Sequence, residues 1–140
     1  MTARILIAED HPHSLELMRY LLQAHGYTVL TAVDGELALT LARHERPDLI
    51  VCDLQMPKVN GYEVAFQLKR DERLCHIPLI AVTAFSMIGD REKVLASGFD
   101  GYFSKPIEVE RFVPELEQYL PPSLRVQSRG DERSGGETWP

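Results

Sequence analysis

LIVCDLQMPKVNG, residues Leu49 to Gly61, is the stretch that decides how the rest of the chain is read. Leu49, Ile50, Val51 and Cys52 are apolar without alternation, the pattern of a strand covered on both faces. The run stops on a carboxylate, Asp53. Met56-Pro57 and Asn60-Gly61 follow, and these are turn residues, so the chain leaves the strand there. Strands buried on both faces belong to parallel sheets, and open α/β sheets bind their ligands outside the carboxyl ends of the strands. Asp53 sits at such an end. Taken alone, it is more readily explained as an Asp that ends the strand or caps the next helix.

Outward from this stretch the same pattern repeats. Toward the N-terminus, Ile5 to Ala8 is a short apolar run that ends on Glu9-Asp10. His11-Pro12 breaks it, and proline suits the first turn of a helix. Leu15, Met18, Leu21 and Leu22 recur at helical spacing, which predicts a helix from Pro12 to Ala24 with Gly26 as its stop. Tyr27 to Ala32 is rich in strand formers, and Asp34-Gly35 is a turn. Leu37, Ala38, Leu41 and Ala42 form a second helical stripe before Pro47-Asp48.

Toward the C-terminus, Val64, Ala65 and Leu68 mark a helix from Tyr62 to Arg70, followed by a polar loop to His76. Pro78 to Val82 is another buried strand, ending on Thr83-Ala84. Met87 to Ala96 reads as a less apolar helix stopped by Gly98. Asp100 to Ser104 is a short strand ending on Lys105-Pro106. Val109, Phe112, Val113, Leu116 and Leu120 line a last helix, which Pro114 is expected to delay or kink. Strands alternating with helices at about 20–25 residues per unit argue for one parallel sheet covered on both faces.

The 140 residues suit one domain, expected over residues 1–120. Pro121-Pro122 ends it. Residues 121–140 are expected to be a polar, disordered tail in which Trp139 is exposed. A net charge of −6 without a basic block gives no support for nucleic acid as a partner. No apolar run approaches the roughly 20 residues of a membrane helix. The N-terminus lacks the features of a signal peptide, and Cys52 and Cys75 have no metal or redox spacing. The cytoplasm is therefore the expected compartment.

In a parallel sheet the strand ends share one edge. That edge would gather Glu9, Asp10, Asp53, Thr83 and Lys105. Each has an ordinary explanation, but their joint occurrence is hard to explain that way. Close carboxylates repel unless something positive lies among them. A hard divalent cation suits all-oxygen ligands, with Mg²⁺ the usual cellular choice. Lys105 adds a mobile ammonium and Thr83 a small donor. This set suits a phosphoryl group arriving at a carboxylate, for which Asp53 is the best-placed nucleophile.

The motifs ILIAED, CDLQMPKVNG, AVTA and FSKP, at these separations, resemble the receiver domain of two-component response regulators. The resemblance spans about Arg4 to Leu120. Within that family the chain is similar to stand-alone regulators of the cell-division-control type and to hybrid-kinase receivers. It implies a flavodoxin-like doubly wound sheet of order 2-1-3-4-5, with helices on both faces. It also implies that Asp53 accepts a phosphoryl group from a histidine kinase or a phosphotransfer protein. Asp10, Asp53 and the backbone carbonyl of Gln55 would hold Mg²⁺, with Mn²⁺ as an alternative ion, and Glu9 would hold it through water. Lys105, Thr83 and the Ala84 amide would bind the phosphoryl oxygens, and Tyr102 matches the switch aromatic. The Lys105-Pro106 bond would be cis, Phe85 would shield the phosphoryl group, and the fourth helix, fifth strand and fifth helix would face a downstream protein. A homodimer through that face is left open. Such a protein signals through contacts and is not a turnover enzyme.

Three other readings compete. A haloacid-dehalogenase-type phosphatase would carry a second Asp where Gln55 stands. A flavin binder of the same fold would need a phosphate loop where Glu9-Asp10 stands. A receiver-like interaction module that is never phosphorylated would have no need of Asp53, Thr83 and Lys105.

Overall fold

The computed structural model describes residues 2–84 and 90–126. The expectations for Phe85, for Met87 and for Trp139 with the rest of 127–140 fall outside the described residues. Strands β1 (Arg4–Ala8), β2 (Thr28–Ala32), β3 (Leu49–Asp53), β4 (Leu79–Thr83) and β5 (Gly101–Ser104) alternate with helices α1 (Pro12–Ala24), α2 (Gly35–Glu45), α3 (Gly61–Arg70), α4 (Asp90–Ala96) and α5 (Val109–Glu117). The strands form one parallel sheet in the order β2-β1-β3-β4-β5. The family resemblance implied that order.

The unbroken apolar runs are explained by the two faces of the sheet. Successive strand residues point to opposite sides. Leu6, Ile50, Cys52, Leu79 and Ala81 pack with Ala38, Leu39, Val64, Leu68 and Val94 on one side. Ile5, Ile7, Val51, Ile80 and Val82 pack with Met18, Leu22, Phe112 and Leu116 on the other. β3 and β4 are buried along their whole length because both faces are covered.

Local chemistry sets the helix ends. Asp34 is the N-cap of α2, its carboxylate accepting the Leu37 amide at 2.8 Å. Asn60 is the N-cap of α3, its side-chain oxygen accepting the Glu63 amide at 3.0 Å. Replacing Asn60 with Ala should destabilise the protein by about 1 kcal/mol, readable as a lower midpoint in urea unfolding. α1 has Pro12 at its start and no side-chain cap. Asp10 is therefore not a cap, which removes the ordinary explanation for that carboxylate. α5 continues through Pro114 and ends at Glu117, so Leu120 is buried beyond the helix rather than within it.

The first residues beyond Leu120 pack against the domain. Pro122–Leu124 form a 3₁₀ turn. The Val126 amide donates to the Tyr27 hydroxyl at 2.9 Å, and that hydroxyl donates to Glu117. Residues 121–126, expected to begin the polar tail, thus lie along the body of the domain.

Candidate functional site

The carboxyl ends of β1, β3 and β4 and the residue after β5 bring Glu9, Asp10, Asp53, Thr83 and Lys105 to one edge of the sheet. The Lys105 ammonium lies 3.0 Å from Glu9 Oε1 and 3.3 Å from Asp53 Oδ2. Its backbone N–H donates a hydrogen bond of 2.8 Å to the Thr83 carbonyl. The Lys105-Pro106 peptide is cis. Glu9, Asp53 and Thr83 are buried, whereas Asp10 is exposed. One carboxylate oxygen from each of Glu9, Asp10 and Asp53 falls within 4.8 Å of the others.

Three acidic groups in so small a volume strain the site electrostatically. Burial first, and then Asp53 beside it, push the Glu9 carboxyl up to about 7. Burial alone would lower the Lys105 ammonium, but its bond to Glu9 and the charges of Asp53 and Glu9 more than offset this, so its pKa lies above the usual lysine value. The ammonium therefore stays charged and is the positive counterweight of the cluster. It is an incomplete one. Glu9 Oε1 is buried and lacks a hydrogen bond, although the ammonium is close to it. One ammonium thus faces three carboxylates, and the excess negative charge is costly.

The loop after β3 shapes the other side of the site. The Gln55 amide donates to Asp53 Oδ1 at 3.0 Å, and the His11 amide donates to Glu9 Oε2 at 3.0 Å. Gly61 lets this loop close over the strand end. A Cβ there would lie 2.6 Å from the Asp53 carbonyl oxygen and 2.7 Å from Leu54 Cα, both rigid backbone atoms. Gly61→Ala should therefore destabilise the fold by about 1–3 kcal/mol, a loss that chemical denaturation would register.

Every expected site residue among Glu9, Asp10, Asp53, Thr83 and Lys105 reaches the same edge. Gln55 and Ala84 lie in the loops after β3 and β4, with Ala84 exposed. Tyr102 is half-buried on β5, opposite Ala81 of β4 in the register. Sequence reasoning missed that Glu9 is fully buried and is the nearest partner of Lys105.

The response regulator receiver domain family matches residues 5–117 of this chain, and the chain belongs to that family. It is 48% identical over 120 residues to the polar-differentiation response regulator DivK of Brucella ovis, spanning 86% of this chain and 98% of that protein. Among solved structures it is similar to the receiver domain of a sensor histidine kinase from Pseudomonas aeruginosa (TM-score 0.78, 30% identity, 85% of this chain and 98% of that one). That receiver holds a magnesium ion in its active site cleft. A chemotaxis response regulator of Vibrio cholerae superposes with a TM-score of 0.81 at 28% identity, over 86% of this chain and all of its own. As a response regulator receiver, the chain is a component of phosphorelay signalling that works with histidine kinases or phosphotransfer proteins. No helix among the described residues is long and apolar enough to cross a membrane.

Proposed function

We infer that the protein accepts a phosphoryl group on Asp53 and signals by changing its protein contacts. The observation that carries this reading is the convergence of Asp53, Glu9 and Asp10 around the Lys105 ammonium. The donor set fits a hard divalent cation. It consists of oxygens, three of them from carboxylates gathered within 4.8 Å, and a single ammonium, that of Lys105, lies against Glu9 and Asp53. Asp10, Asp53 and the Gln55 carbonyl would hold Mg²⁺, with Glu9 reaching it through water. Mn²⁺, which also accepts oxygen ligands, would substitute. The ion supplies charge neutralisation for phosphoryl oxygens.

The rest of the chemistry belongs to the chain. An Asp53 carboxylate oxygen attacks the phosphorus of a phosphohistidine. An O–P bond forms as the N–P bond breaks, and its electron pair returns to the imidazole of the donor. Lys105 already lies against Asp53 Oδ2 and can follow the charge onto the new phosphoryl group. The Thr83 hydroxyl and the Ala84 amide, at the end of the neighbouring strand, would bind its oxygens. Inward movement of Thr83 would leave room for Tyr102 and so repack the face made by α4, β5 and α5. That face would meet the downstream protein. A homodimer through it is the alternative outcome, which sedimentation with and without beryllofluoride distinguishes.

Net charge and the absence of a basic block argue against nucleic acid as the partner. Free Cys52 and Cys75 suit the reducing cytoplasm. The protein acts as a stoichiometric acceptor and not as a turnover enzyme. Addition of Mg²⁺ and beryllofluoride to the full chain should move the amide resonances of Thr83, Ala84, Tyr102 and Lys105 together. No change at those positions would defeat the proposal in favour of an interaction module that is never phosphorylated.

A further inference from the structure

The end of the sheet opposite Asp53 carries a second feature that the receiver chemistry does not use. A cavity of about 690 Å³ opens there between the α2–β3 turn, the α3–β4 loop and the segment that follows α5. It lies at the amino ends of β3 and β4, roughly 15 Å from Asp53 along a five-residue strand. Its floor is apolar, with the buried side chains of Ile77 and Leu120. Its rim carries Arg46, Arg73 and Arg125, and Asp48 is its single carboxylate. Asp48 is already engaged, accepting the Arg4 amide at 2.8 Å.

This concentration of positive charge runs against the composition of the whole chain, whose net charge is −6. Attraction to helix carbonyl ends accounts for basic residues in the last turns of α2 and α3, such as Arg43 and Arg70. It does not account for Arg125, which follows the 3₁₀ turn. Among the described residues no carboxylate pairs with Arg46 or Arg125, and Arg125 uses only its Nε, donating to the Leu120 carbonyl at 3.1 Å. Arg73 lies 3.4 Å from Asp71 at an exposed position, a weak attachment. Arg46 also occupies a position that favours glycine. It caps α2 with φ 45° and ψ 66°, a left-handed conformation that disfavours any residue with a side chain, although its charge suits the carbonyl end of the helix.

We propose that this cavity binds a small organic phosphate with a planar apolar body, of the nucleotide class. Guanidinium groups match phosphate oxygens in pairs, which is the recognition that Arg46 and Arg125 are free to offer. The exposed ring of Tyr119, the prolines at 121 and 122 and the apolar floor suit a flat body of matching size. Walls from three separate segments favour a compact ligand over an extended peptide.

The test uses the full chain in chelator, without Mg²⁺, titrated with adenosine diphosphate, adenosine or inorganic pyrophosphate while amide resonances are followed. The diphosphate should produce saturable shifts at Arg46, Asp48, Ile77 and Tyr119, and bind about tenfold or more tightly than either fragment. Arg46→Gly and Arg125→Gln should each weaken it about tenfold. Glycine suits the left-handed cap, so Arg46→Gly should keep or raise the melting temperature, and lost binding cannot be ascribed to unfolding. Both variants should still take up phosphoryl groups from acetyl phosphate, which keeps this test separate from that of Asp53. Absence of saturable shifts, shifts confined to Glu9, Asp10 and Asp53, unchanged affinity in Arg46→Gly, or pyrophosphate binding as tightly as the nucleotide would each overturn the proposal.

Discussion

Asp53→Asn is expected to abolish phosphoryl uptake from acetyl phosphate and Mg²⁺, while the fold survives. The substitution conserves shape and keeps an oxygen that can accept the Gln55 amide at 3.0 Å. It removes the anionic nucleophile and one charge of the metal set. An amide oxygen is a far weaker nucleophile and ligand for a hard cation than a carboxylate. The loss should therefore be essentially complete in intact mass, with circular dichroism unchanged. Relief of carboxylate repulsion should leave stability without Mg²⁺ equal or slightly raised. Labelling of the variant at the parental level would remove Asp53 from its role.

Lys105→Met should be the most destabilising change at the site when Mg²⁺ is absent. Its ammonium is the positive group within reach of both Glu9 and Asp53, and all three side chains are largely buried. Methionine keeps much of the length and leaves the carboxylates uncompensated. Breaking a buried ionic contact by removing one partner costs up to about 3–5 kcal/mol, and proton uptake by Glu9, already raised to about 7, would offset part of this. Added Mg²⁺ should stabilise the variant more than the parent, because the ion takes over the missing charge. Equal stabilisation of the two in urea titrations with and without Mg²⁺ would show that Lys105 and the ion do not share one electrostatic function.

Much of this site was legible in the chain because strands announce their ends. Apolar runs that stop on Glu9-Asp10, on Asp53, on Thr83 and before Lys105 converge once the sheet is parallel, since every carboxyl end then lies on the same edge. The order of the strands was not in that reading. It came from the resemblance of four motifs to a family, because periodicity fixes which face of a strand is covered but not which strand lies beside it.

What escaped the sequence depends on tertiary context. The burial of Glu9 next to an exposed Asp10 is a matter of strand direction at a single residue. Residues 121–126 looked too polar to pack, yet the Val126 amide needs only the Tyr27 hydroxyl, contributed by a residue far away in the chain. The arginine-lined cavity is built from three segments with no shared motif, and the left-handed cap at Arg46 carries no glycine to announce it.

The most direct measurement is site mapping of the acyl phosphate. The full chain is incubated with acetyl phosphate and Mg²⁺, digested, and each peptide is weighed before and after hydroxylamine. The account predicts one phosphoryl group, lost to hydroxylamine, on the peptide that contains Asp53, and none when the ion is chelated. A hydroxylamine-stable group elsewhere, or equal uptake in chelator, would contradict it.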